Sequence, residues 1–284
     1  MMPMPPSWPA RIRAVAAGEL TPPVPKPSAT VVLLRDTVGS ASGPEAYLLR
    51  RRTSMAFAAG LYAYPGGGVD PRDSEGGYGW AGPSPAEWAE RLGTDEPTAR
   101  AVVCAAVRET FEEAGVLLAG PDAERTADPR DWSAERAAME RHELAFADFL
   151  AANALVLRSD LLAPWARWVT PEFEERRYDT WFFVAAMPSG QVAAETVGEA
   201  DRVAWLTPAE VVEGYGDGRY RMLPPTVTVQ RELLTVRSAA EAVAAGADRK
   251  VTPVLGRAEI AGDRLTVRWP GYEELTIDGS FPPE

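Results

Sequence analysis

Three glutamates crowd one short stretch of this sequence, Arg108-Glu109-Thr110-Phe111-Glu112-Glu113-Ala114-Gly115-Val116. Spaced i, i+3 and i+4 on a helix, Glu109, Glu112 and Glu113 project together and repel one another unless a cation sits among them. A donor set made only of oxygen suits a hard ion, Mg²⁺ or Mn²⁺, rather than zinc. A solvated acidic helix face would look the same from the triplet alone, so the chemistry turns on its surroundings. The chain has one histidine and one cysteine. His142 lies in the charged stretch Glu140–Glu143 and reads as an exposed residue. Cys104 lies among apolar neighbours and reads as a small core residue. Neither a Ser-His-Asp mechanism nor a His-rich zinc site has support.

The glutamates need a helix, and the sequence marks one clearly. Thr94 can cap it, Asp95 and Glu96 suit its positive end, and Gly115 stops it. Val103, Val107 and Phe111 share one face, with the glutamates on the opposite side. Ala29–Leu34 and Ala46–Arg50 read as strands joined by a turn in Gly39–Gly43, and Gly60–Pro71 reads as a glycine-rich loop. A helical region covers Ala134–Leu155. Arg167–Val169, Tyr178–Ala185 and Val203–Leu206 read as strands, the second apolar enough to be central. A helix opens at Thr207-Pro208-Ala209-Glu210, another spans Pro225–Ala245, and a hairpin covers Arg257–Trp269, turning at Ala261-Gly262-Asp263. A short helix at Pro9–Ala17 and the stiff run Thr21–Pro27 precede the first strand. Residues 1–28 thus form an N-terminal segment and linker, 29–223 the main domain with an insertion at about 71–94, and 224–284 a C-terminal extension.

With 284 residues and ordinary apolar content, the chain can bury a sizeable core. Its 41 acidic and 29 basic residues leave a net charge of −12, which repels nucleic acid but admits a small polyphosphate where arginines and a metal reverse the local field. No apolar run approaches a membrane span, the opening lacks a signal-peptide core, and the lone cysteine forms no internal disulfide. A cytoplasmic location is expected. The expected partner is a small nucleotide diphosphate, not nucleic acid or membrane, and a homodimer stays open.

The combination of motifs resembles the Nudix family. Its box reads Gly, five residues, Glu, seven residues, then Arg-Glu-aliphatic-any-Glu-Glu-any-Gly-aliphatic. Arg108, Glu109, Glu112, Glu113, Gly115 and Val116 match the second half, with Thr110 at the aliphatic position. Tyr64-Pro65-Gly66-Gly67 is similar to the lead-in and makes Gly67 the first glycine. Gly67 and Arg108 stand 41 positions apart against 14 in the ordinary box, so 27 residues are inserted. Counting eight back from Arg108, Arg100 occupies the place of the first Glu, a mainly structural position. The insertion, the run Met55-Ala56-Phe57 to Gly67, Trp168-Val169-Thr170-Pro171 and Arg176-Arg177-Tyr178-Asp179-Thr180 resemble the branch that includes the coenzyme A diphosphatase of animal peroxisomes.

The resemblance implies an α/β/α sandwich with a mixed sheet, enlarged by helical insertions and a C-terminal extension. It implies metal-assisted hydrolysis of a diphosphate, with Mg²⁺ or Mn²⁺ held by Glu112, Glu113 and the Gly67 carbonyl. Glu109 would be a ligand or the base, oriented by Arg108; the catalytic set is then Arg108, Glu109 and Glu112. A further ligand is expected from Glu199, six before Trp205, with Glu195 second. Arg50, Arg52, Arg167 and Arg177 are candidates for gripping substrate phosphates, although ion pairs with nearby acids would serve Arg167 and Arg177 equally well. Tyr62, Phe57 and Trp168 would stack an adenine or, more simply, fill the core. Coenzyme A or its thioesters lead the substrate expectations, although Ala56 stands where the common coenzyme A motif has an arginine. An ADP-ribose or dinucleotide pyrophosphatase, or a nucleotide-binding module without catalysis, are the alternatives.

Overall fold

The computed structural model describes residues 5–37, 43–52, 59–74, 76–194 and 200–280. Its main sheet runs in the order Ala200–Leu206, Glu45–Arg51, Lys26–Arg35, Tyr178–Ala186, Ala163–Val169, Pro253–Leu255. Lys26–Arg35 lies parallel to Tyr178–Ala186, and Pro253–Leu255 parallel to Ala163–Val169; the other neighbours are antiparallel. The sheet is therefore mixed. Two short strands fall inside the expected loop Gly60–Pro71: Tyr62–Ala63 pairs with Glu45–Arg51, and Gly66–Gly68 pairs with Ser28–Thr30. The loop prediction failed there because strands of two and three residues carry no periodicity to read.

Alternation along the strands sends side chains to two separate cores. On one face Val31, Leu33, Tyr47, Leu49, Trp181 and Phe183 pack against Val103, Val107 and Phe111 of the helix Glu96–Ala114. On the other face Val32, Leu34, Leu48, Phe182 and Val184 meet the helices Pro208–Gly216, Pro224–Leu233 and Ala239–Ala247 and the N-terminal helix Trp8–Ala16. The result is an α/β/α sandwich. Two regions expected to be single helices are each broken. Ser133–Glu140 and Phe146–Ala152 are separated by a turn at His142, whose φ of +58° ends the first. Pro224–Leu233 and Ala239–Ala247 are separated by a short non-helical connection that ends where Ser238 caps the second.

The insertion is woven into the domain. Gly79–Ala81 pairs parallel with Val156–Arg158, which also pairs with Ala119–Gly120, forming a second small sheet. The helix Pro85–Leu92 is held by a Ser84–Glu87 capping box and buries Trp88 and Leu92 against the glutamate-bearing helix. Arg257–Ala261, Arg264–Arg268 and Ile277–Ser280 make a third sheet, whose Leu265 and Val267 join the second core. Among the described residues no helix is long and apolar enough to cross a membrane.

Candidate active site

Asp95, one residue beyond the expected Thr94, caps the central helix by accepting from the Thr98 N–H at 2.8 Å. Thr94 instead closes the preceding helix, its N–H donating to Ala89 O. At the other end Gly115, with φ +65°, takes the left-handed turn that stops the helix. The face opposite the apolar stripe is not solvated. Arg108, Glu109 and Glu112 are only 6%, 9% and 8% exposed, because the segment from Gly66 to Ser74 lies across them.

Arg108 is the hub of this buried cluster. Its Nε donates to Asp73 Oδ1 at 3.0 Å, and one terminal nitrogen donates to Asp73 Oδ2 at 3.0 Å and to Gly68 O at 2.9 Å. The other terminal nitrogen donates to Glu109 Oε1 at 2.8 Å and Glu112 Oε1 at 3.2 Å. Glu113 accepts from the Gly66 N–H at 2.7 Å. Glycine at 67 leaves room for the Glu109 carboxylate, which a methyl built there would run into. Behind the helix end, Arg136 donates twice to the Glu112 carbonyl, at 2.9 and 2.7 Å, and so satisfies a carbonyl of the last turn.

Asp73 corrects the sequence reading. Counting eight back from Arg108 lands on Arg100, but counting six forward from Gly67 lands on Asp73, a shorter acid where the pattern has Glu. The inserted residues therefore fall after Asp73, and the structural acid of the box is present. Arg100 serves elsewhere, with its guanidinium over the rings of Tyr78 and Trp80 from the insertion. Thr110, at the aliphatic position, is fully buried and returns its hydroxyl to Ala106 O at 2.7 Å. Cys104 is buried as expected, with its thiol pushed up to about 12 by burial and then by Asp73.

Three carboxylates, those of Asp73, Glu109 and Glu112, gather round the single guanidinium of Arg108, while Glu113 is held by the Gly66 N–H. Burial pushes the Glu109 carboxyl up to about 7 despite Arg108 beside it. Glu112 and Asp73 are raised as well, again chiefly by burial. A divalent cation fits this set in donor type and in surplus negative charge. The spacing is not preset: among the described residues no three carboxylate, imidazole or thiol groups stand ready to hold an ion. Glu109 and Glu112 are turned onto Arg108 instead. Glu199 and Glu195 lie outside the described residues. The chain just before them is fixed, since Ala194 N donates to Ala114 O at 2.7 Å and Tyr47 Oη to Ala194 O at 2.7 Å.

The four arginines chosen for substrate phosphates are not brought to this cluster. Arg50 pairs with Asp201 at 2.7 Å, and Arg52 donates to Ala200 O at 3.4 Å, both at the outer edge of the sheet. Arg167 forms a two-pronged pair with Asp179, at 2.9 and 2.6 Å, and lies over the Trp181 ring. Arg177 is buried and donates to the carbonyls of Thr170 and Pro23. Tyr62 and Trp168 are core residues, and Phe57 lies outside the described residues. Arg72 does face the cluster from outside it, sharing a cleft with Arg108, Glu112 and His142.

The family described as the NUDT19 Nudix domain matches residues 81–232. That span includes the glutamate helix, and the fold supplies the Gly66–Asp73 turn from outside it. Among curated relatives, the acyl-coenzyme A diphosphatase NUDT19 of Xenopus laevis is 25% identical over 217 residues, covering 64% of this chain and 57% of that protein. The Homo sapiens protein of the same name is 26% identical over 240 residues, covering 70% of this chain and 62% of that protein. The chain thus spans little more than half the length of these relatives. The crystal structure of a NUDIX hydrolase from Alicyclobacillus acidocaldarius superposes with a TM-score of 0.60 at 27% identity, covering 78% of this chain and 96% of that one. With the sandwich, the hub and the matched span in agreement, the chain belongs to the Nudix hydrolase family, in the branch of the NUDT19 Nudix domain.

Proposed function

We propose that this protein hydrolyses the diphosphate of a nucleotide-linked substrate, coenzyme A or an acyl thioester of it before others, with Mg²⁺ or Mn²⁺ as cofactor. The observation that carries the reading is the gathering of three carboxylates round Arg108, with Glu113 beside them on the Gly66 N–H of the overlying strand. The relatives named as acyl-coenzyme A diphosphatases support the choice of substrate. Glu112, Glu113 and the Gly67 carbonyl would hold the ion, with Glu109 either a further ligand or the base, and the bound ion would neutralise charge on the diphosphate oxygens.

The remaining work falls to the chain itself. Asp73 fixes the Arg108 guanidinium, and Arg108 in turn holds Glu109 by Oε1. As the base, the Glu109 carboxylate takes the proton of the attacking water. The water oxygen bonds to one phosphorus and the bond from that phosphorus to the bridging oxygen breaks. The leaving phosphate departs with the electron pair.

Mass spectrometry of products after incubation with coenzyme A and Mg²⁺ or Mn²⁺ tests this reading. Appearance of 4′-phosphopantetheine and adenosine 3′,5′-bisphosphate is the expected result. Intact coenzyme A alongside cleaved ADP-ribose or NADH would move the protein to the dinucleotide reading. Tight nucleotide binding with no cleavage of any of them would make it a binding module, against which the intact Glu109, Glu112 and Glu113 now count.

A further inference from the structure

A polyanion must approach a cluster with surplus negative charge on a protein of net charge −12. Arg50, Arg52, Arg167 and Arg177 are held by partners elsewhere. Two other basic side chains, Arg72 and His142, line a cleft together with Arg108 and Glu112.

Arg72 is already aimed. It sits on the turn Pro71–Ser74, and Asp70 takes its Nε at 3.0 Å and one terminal nitrogen at 2.7 Å. That two-pronged grip leaves the other terminal nitrogen pointing across to His142 O, at a long 3.4 Å. A phosphate oxygen at the roughly 2.8 Å of a charge-assisted bond would readily displace so weak a carbonyl contact. His142 stands on the opposite wall, exposed, at the left-handed turn between two helices. Asparagine and glycine satisfy such a turn as well as histidine does, so the turn does not call for an imidazole. Leu144 and Phe146 continue the cleft as an apolar wall.

We propose that Arg72 and His142 form a phosphate clamp at the rim of the catalytic cleft, taking a phosphate group of the nucleotide substrate. The clamp rests on the diphosphatase reading and names how the substrate is admitted. The guanidinium, pre-set by Asp70, would donate its remaining terminal nitrogen to one oxygen, and the imidazole would donate to another.

Steady-state kinetics on the full chain, with coenzyme A and with 3′-dephospho-coenzyme A, test the clamp in wild type, R72Q, R72K, H142N and the R72Q/H142N pair. H142N keeps the left-handed turn, and R72K keeps the charge. We expect KM to rise about tenfold in R72Q and H142N and further in the pair, with kcat within about threefold and R72K intermediate. A rise on both substrates assigns the clamp to the diphosphate. A rise on coenzyme A alone assigns it to the 3′-phosphate. Unchanged KM on both substrates, or a loss confined to kcat, would overturn it. Should wild type cleave neither substrate, the coenzyme A reading falls separately. Calorimetric titration of the same folded variants with adenosine 3′,5′-bisphosphate and with ADP then decides the clamp: weakened binding supports it, and wild-type affinity refutes it.

Discussion

At the scale of single residues, Asp73 and Arg108 hold the site together before any substrate arrives. Arg108 is buried and spends all three of its guanidinium nitrogens on carboxylates or a carbonyl. Removing the Asp73 charge would leave that guanidinium short of a partner in a low-dielectric place, which costs about 3 kcal/mol for a buried pair broken on one side. We expect Asp73→Asn to lower unfolding stability by that order in urea titrations, and to lower turnover because Arg108 no longer holds Glu109 in place. Wild-type stability in Asp73→Asn would refute the hub. Glu109 gives a second prediction. Its carboxyl is raised to about 7, so between its unfolded value and 7 the folded metal-free chain holds a proton that the unfolded chain has released. The stability this group contributes is complete below its unfolded value and disappears as pH rises through about 7. Thermal unfolding of metal-free protein should therefore fall more steeply from pH 5 to 8 in wild type than in Glu109→Gln. Parallel curves would contradict it.

At the scale of elements, the Gly66–Gly68 strand and the helix Glu96–Ala114 must approach closely for the cluster to close. Gly67→Ala should fold, since the strand pairs through backbone atoms with Ser28–Thr30, yet the added methyl would displace the Glu109 carboxylate. Turnover should drop about 100-fold with little change in melting temperature, measured by assay and by circular dichroism. The helix was legible in the sequence because acids at its positive end, an i, i+4 apolar stripe and a stop glycine all agreed, although its cap is Asp95 and not Thr94. Asp73 was not, because the spacing was counted back across the insertion from Arg108 and not forward from Gly67. The burial of Glu109 and Glu112 was equally hidden, since it comes from the overlying turn and not from the helix pattern. The breaks at His142 and before Ser238 escaped for a third reason: the apolar period runs through both, and only backbone geometry ends the helices there.

At the scale of the whole molecule, insertion, sheet and C-terminal segment share their contacts. Trp181 Nε1 on the central strand donates to Leu92 O of the inserted helix at 3.0 Å, and Val251 N donates to Arg91 O at 3.3 Å. Pro253–Leu255 then extends the main sheet itself. We expect a single cooperative unfolding transition seen alike by tryptophan fluorescence and far-ultraviolet circular dichroism. A chain ending at residue 223 should be unfolded or aggregated, having uncovered Val32, Leu34, Phe182 and Val184. Two separated transitions, or a soluble native truncation, would show that residues 224–284 are an independent unit. All of this architecture serves to bring carboxylates from one helix under one glycine strand, where they are proposed to act on a diphosphate with a divalent ion. The measurement that bears on that claim most directly is the rate of coenzyme A cleavage against Mn²⁺ or Mg²⁺ concentration in wild type, Glu112→Gln and Glu113→Gln. The account predicts a metal-dependent rate in wild type and a loss of at least about 100-fold in each folded variant. Metal-independent cleavage, or wild-type rates in both variants, would contradict it.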